Sequence, residues 1–163
     1  MKHLPLFLAA ALLPVAAFAA PAGPEDRAAL QALAHAADMA WDKRDVEAML
    51  ITYAEDATLR LGGMAAPVQG RSALRGFFEQ GFAARSGELR HVTRIDHVEL
   101  TRPDLAVADG QVLIQRRRPD GAWETVRAFA NMSVAVREGG GWKLSAIRGY
   151  PVPPSDPAQT GAR

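Results

Sequence analysis

Residues 92–150 read VTRIDHVELTRPDLAVADGQVLIQRRRPDGAWETVRAFANMSVAVREGGGWKLSAIRGY. Four runs rich in apolar and β-branched residues stand out: Val92 to Leu100, Leu105 to Arg116, Trp123 to Arg137 and Trp142 to Tyr150. Each has the composition of a strand. Between them sit Arg102-Pro103-Asp104, Pro119-Asp120-Gly121 and Gly139-Gly140-Gly141, all turn signals. Connections this short join antiparallel neighbours, because a parallel pair needs a crossover of about a dozen residues. The stretch predicts four antiparallel strands in one sheet.

Upstream of this stretch the period changes. From Pro24 to Arg44, Leu30, Leu33, Ala37, Ala40 and Trp41 recur at helical spacing. Pro24, Glu25 and Asp26 make a good start, by fixed φ and by acid at the positive end of the helix. Asp45 caps a second, shorter helix with Val46, Met49, Leu50 and Tyr53 on one side. A third runs from about Arg71 to Arg85, with Leu74, Phe77, Phe78 and Phe82 on one face. Gly62-Gly63 and residues 65–70 mark turns before it, and a short strand is expected around Ala57–Leu61. Helices followed by antiparallel strands give an α+β class, with three helices to cover one face of the sheet.

The ends read differently from the middle. Met1-Lys2, an apolar run from Leu4 to Phe18 and the small residues around Ala17-Phe18-Ala19 form a secretory leader, residues 1–19, cleaved after Ala19. The run is shorter than the roughly 20 residues of a membrane span and is broken by Pro5 and Pro14. The chain has no cysteine, which rules out both a lipid anchor at the cut and disulfide staples in an exported protein. The expected domain covers residues 24–154, and a tail from 155 to 163 without periodicity is expected to be mobile. The Ala- and Arg-rich composition suggests a bacterial source, hence a periplasmic or secreted protein with no membrane attachment after cleavage.

The 19 Lys and Arg face 18 Asp and Glu, and removing Lys2 with the leader balances them. A nucleic-acid binder would carry a basic excess or stripe, so no nucleic-acid partner is expected. Arg116-Arg117-Arg118 leads straight into Pro119-Asp120-Gly121 and reads as a solvated hairpin tip.

Short motifs in order add a resemblance. Ala40-Trp41-Asp42-Lys43-Arg44-Asp45, Tyr53-Ala54-Glu55-Asp56-Ala57 and Gly70-Arg71-Ser72-Ala73-Leu74 resemble the nuclear-transport-factor-2-like (SnoaL-like) superfamily. Arg102-Pro103-Asp104-Leu105-Ala106-Val107, Arg137-Glu138-Gly139-Gly140-Gly141-Trp142-Lys143-Leu144 and Pro151-Val152-Pro153 are similar to its SgcJ/EcaC-type branch. The resemblance covers about Leu30 to Pro154. It implies a cone: a curved antiparallel sheet on three N-terminal helices, with a pocket between the layers and a homodimer packed through the sheets. The superfamily holds isomerases, dehydratases, cyclases, hydrolases and members that only bind. Where the branch ends its last strand in His-Asn-Thr, this chain has Arg148-Gly149-Tyr150, so a site using that His is altered here.

Such a pocket is mostly apolar, with a few polar groups to orient a ligand. Trp41 and Tyr53 are expected on the inward stripes of helices one and two, and Phe78 on that of helix three. Tyr53 can donate to a ligand oxygen. His91, just before the first long strand, suits a general base at neutral pH. Asp109 alternates with Leu105, Val107, Gln111 and Leu113, a largely apolar face where burial would raise a carboxyl's pKa. Gly110 beside it makes a bulge equally consistent. His35 and His97 read as surface residues. No histidine pair has metal-ligand spacing, so neither metal nor cofactor is expected.

Arg127, Phe129, Asn131 and Ser133 share one face of the third long strand, and Val126, Ala128, Ala130, Met132, Val134 and Val136 the other. Alternation alone does not say which faces the pocket. If the polar set does, Arg127 and Asn131 bind an anionic or carbonyl-bearing ligand; otherwise they belong to a dimer interface. Arg148 and Tyr150 alternate with Trp142, Leu144 and Ala146 and are expected at the pocket rim. Three readings stand at this point. One is a domain that binds a small apolar or carbonyl-bearing molecule without turnover. The second is an isomerase-, dehydratase- or cyclase-type enzyme using Tyr53 with His91 or Asp109. The last is a dimeric scaffold with a filled core.

Overall fold

The computed structural model describes residues 20–152. The leader at 1–19, the end of the Pro151-Val152-Pro153 motif and the tail at 155–163 lie outside the described residues. Ten elements follow one another: β1 (Ala20–Pro21), α1 (Pro24–Lys43), α2 (Val46–Ile51), β2 (Tyr53–Leu61), β3 (Val68–Gln69), α3 (Arg71–Ala83), β4 (Leu89–Arg102), β5 (Leu105–Arg117), β6 (Trp123–Glu138) and β7 (Gly141–Val152). The strands form one sheet in the order β1-β4-β5-β6-β7-β2-β3. This is the expected α+β class, a curved sheet with the helices ahead of the long strands.

The four long strands are antiparallel neighbours, as their short connections require. At the tip of the β6–β7 hairpin Gly139 and Gly140 both take positive φ, 57° and 84°. That is the geometry a two-residue turn of primed type demands. Arg116, Arg117 and Arg118 at the β5–β6 tip pair with Glu124, Glu88 and Asp120, so the basic run is neutralised surface.

Three features of the sheet were not expected. β2 opens at Tyr53 rather than Ala57 and pairs parallel with β7. The chain between them supplies the crossover through α3 and the β4–β6 meander. β1 joins the outer edge of β4 through Leu100 and Glu99, and β3 adds two residues to the edge of β2. β1 and β3, two residues each, are too short for a periodicity to register.

Bulges curve the sheet. One extra residue enters β4 at Asp96, β6 at Val126 and β7 at Ser145. A bulge bends its strand and reverses which face the following side chains take. Inside the curve α1 lies along β4. Asp26 in its first turn accepts hydrogen bonds from Arg137 and from Trp142 Nε1. Arg85 closes its other end, donating to the carbonyls of Trp41 (2.8 Å) and Asp42 (2.9 Å). Two apolar clusters result. One gathers Met49, Leu50, Ala57, Leu59, Leu74 and Phe78 around α2, β2 and α3. The second gathers Leu30, Val98, Ala106, Ala108, Ala135 and Trp142 between α1 and the sheet. Among the described residues no helix is long and apolar enough to cross a membrane.

Candidate functional site

Between the two clusters a cavity of about 800 Å³ remains. Its helix wall includes Leu33, Ala37, Trp41, Phe77, Phe78 and Phe82, and its sheet wall His91, Val112, Ile114, Phe129 and Ile147. Aromatic contacts stiffen the helix side: Trp41 meets Phe82 edge-on at 6.3 Å between centroids, and Phe78 stacks on Phe82 at 6.0 Å.

His91 brings the ionisable chemistry to this wall. Its Nδ1 lies 2.6 Å from Asp38 Oδ1. Its ring leans on Trp41, 5.3 Å between centroids. Its backbone N–H donates to Asp42 Oδ1 at 2.7 Å. Asp38 is only 8% exposed and also accepts from the Thr93 backbone N–H (2.8 Å) and hydroxyl (2.6 Å). A carboxylate that only accepts leaves the proton on His91 Nδ1 and the lone pair on Nε2.

Asp38, Trp41 and Asp42 occupy positions i, i+3 and i+4 of α1, so one helical face presents all three to β4. Sequence reasoning named Trp41 and His91 but missed Asp38, Asp42 and Thr93. The available signal was an acid at position 38, between Ala37 and Ala40 on a stripe otherwise apolar.

Tyr53 is 4% exposed and lines the cavity, but from the first position of β2 and not from α2, which ends at Ile51. Thr52 caps α2 and turns the chain, so helical spacing does not extend to Tyr53. Burial pushes the Tyr53 phenol above its ordinary value of 10.0, so it stays protonated as a donor. Its ring packs on Phe78 at 5.8 Å. The open question about β6 resolves in favour of the polar set: Arg127, Phe129, Asn131, Ser133 and Ala135 line the cavity.

Two expectations fail for reasons of strand geometry. On β5 it is Ala106, Ala108, Val112 and Ile114 that face inward. Asp109, which borders the cavity and a shallow outer depression alike, is exposed and sits opposite exposed His97, so it is no buried base. Arg148 and Tyr150 do not line the cavity. The bulge at Ser145 breaks their alternation with Leu144, which points inward together with Ile147 and Gly149. Arg148 bonds instead to Thr58 Oγ1 at 3.0 Å, and Tyr150 is 57% exposed on the outer face. His35 and His97 are on the surface.

The profile of the SnoaL-like domain matches residues 24–148. No curated protein matches the chain. Among solved structures, an NTF2-like protein with a cystatin-like fold from Novosphingobium aromaticivorans superposes with a TM-score of 0.69 at 22% identity, covering 83% of this chain and 88% of that one. A ketosteroid isomerase-like protein from Erwinia carotovora atroseptica gives 0.65 at 19%, covering 81% and 100%. A protein from Catenulispora acidiphila in complex with S-DNPA gives 0.66 at 20%, covering 79% and 95%. At these identities the structures share the fold alone, whereas the profile spans the helices, the cavity walls and most of the sheet. The chain belongs to the SnoaL-like domain family.

Proposed function

We propose that this is an exported enzyme that binds a small apolar or carbonyl-bearing molecule in the cavity and moves a proton on it, in the manner of an isomerase, dehydratase or cyclase. One observation carries the reading: the 2.6 Å contact of His91 Nδ1 with buried Asp38, set in the wall of an apolar cavity. Asp38 holds the ring and stabilises the imidazolium. Nε2 takes a proton from a carbon next to the ligand carbonyl. The C–H electron pair moves into the enolate, and Nε2 returns the proton at a second position. Protonated Tyr53, or the Asn131 amide, donates to the enolate oxygen as charge develops there. The step uses side chains alone. One neighbour is described as ketosteroid isomerase-like and another is in complex with S-DNPA, which supports the reading without carrying it.

Three further points belong to the same proposal. Export rests on the leader at residues 1–19. Membership of the SgcJ/EcaC branch rests on the Arg102–Val107 and Arg137–Leu144 motifs, with Arg148-Gly149-Tyr150 as the departure from it. A homodimer rests on the outer sheet face, where exposed Met132 (40%) shares a side with Val107, Leu113 and Val134 and lies between Asp109 and Arg148 on the neighbouring strands.

The test is exchange of the α-protons of 2-tetralone in D2O, followed by NMR. Wild type accelerates exchange over buffer, and His91→Gln loses at least about 100-fold of that acceleration. Binding of the ketone with no acceleration by wild type leaves a binding domain and removes the enzyme.

A further inference from the structure

Four arginines line the cavity: Arg85, Arg94, Arg116 and Arg127. Three are occupied. Arg85 donates to two helix carbonyls and lies over Trp41 at 4.1 Å. Arg94 binds Asp96 through Nε (2.7 Å) and Nη2 (3.3 Å). Arg116 is paired with Glu124. Arg127 has no hydrogen-bond or ion-pair partner among the described residues, and its neighbours inward along β6 are Phe129 and Asn131.

The register fixes where that guanidinium stands. His91 on β4 pairs with Ile114 on β5, and Ile114 pairs with Arg127 on β6. The three form one row across the cavity wall, and two strand spacings put the outer Cα atoms roughly 10 Å apart.

We propose that Arg127 anchors a negative charge, so that the substrate is an apolar-bodied carboxylic acid whose reacting carbon lies a few bonds from the carboxylate. This rests on the proton-transfer reading of the same cavity and names its substrate class. An unneutralised guanidinium beside two apolar walls matches one planar monoanion, which it binds through two parallel N–H bonds. A dianionic phosphate would leave one charge unmatched, because the other cavity arginines are already engaged. The apolar body fills the space between Phe78, Phe82 and Val112, and the carboxylate stays near the mouth where Arg127 is exposed.

The experiment titrates the mature protein with three fluorescent probes of similar body: 2-naphthylacetate, 2-naphthylethanol and 1-naphthyl phosphate. The acid binds wild type at least about ten-fold tighter than the alcohol, and tighter than the phosphate. Arg127→Gln brings the acid to the alcohol's affinity and leaves the alcohol unchanged, while Arg127→Lys keeps part of the preference. His91→Gln retains the preference for the acid while its proton exchange is lost, which separates this proposal from the enzymatic one. Equal or undetectable binding of acid and alcohol, a preference for the phosphate, or a preference that survives Arg127→Gln overturns the assignment.

Discussion

His91 Nδ1 stands 2.6 Å from Asp38 Oδ1, a contact that ties β4 to α1 across 53 positions of sequence. The carboxylate accepts two further hydrogen bonds from Thr93, so one buried acid both orients the imidazole and fixes the strand against the helix.

Replacing Asp38→Asn keeps the volume but sets amide hydrogens against donors. Proton exchange should fall by at least about 100-fold, because the ring loses its tautomer and its counter-charge. Stability should fall by about 1–3 kcal/mol, because Thr93 or His91 is left with an unmatched buried donor. Exchange rates and urea unfolding measure the two separately. Full exchange activity in the asparagine variant would remove the dyad from the mechanism.

Tyr53 predicts a specific alkaline weakness. Burial raises its phenol above 10.0 in the folded state, while the unfolded chain ionises at its ordinary value. Above about pH 10 the unfolded state therefore holds fewer protons than the folded one, and stability declines as pH rises. The full contribution is present below that pH. Tyr53→Phe should show a shallower decline than wild type between about pH 10 and 12. Parallel pH–stability curves would contradict the burial argument.

Gly110 lies where β5 crosses the Asp96 bulge of β4. A Cβ there would press on the Arg94 carbonyl oxygen and come within 3.0 Å of the carbonyl carbon and 3.1 Å of Ile95 Cα. Backbone does not yield as a side-chain tip does, so Gly110→Ala should cost about 2–3 kcal/mol. Denaturant midpoints decide it. A change within about 0.5 kcal/mol would mean the bulge absorbs the methyl group.

Met132 tests the outer face. Met132→Glu should turn a dimer into a monomer in sedimentation experiments while leaving the helical circular dichroism intact, since a charge is costly only where a second copy covers it. A monomeric wild type ends the dimer reading.

The paired strands were legible because period-two alternation and turn residues are local properties. Trp41 and Phe78 were legible as inward residues of amphipathic helices, and His91 as an imidazole just ahead of a strand. Asp109 and Tyr150 were misread because alternation assumes an unbroken ladder and a known inner face. One inserted residue at Ser145 reverses everything after it, and no local preference marks that residue as extra.

Chain order and side-chain pattern by themselves determined the α+β class, the antiparallel meander and the identity of most apolar wall residues, because these follow from interactions among near neighbours. Which face of β6 looks inward, the parallel seam of β2 with β7, and the meeting of Asp38 with His91 were decided only in three dimensions. Each depends on the curvature the bulges impose and on how far α1 lies along β4, and both are set by packing over the whole sheet.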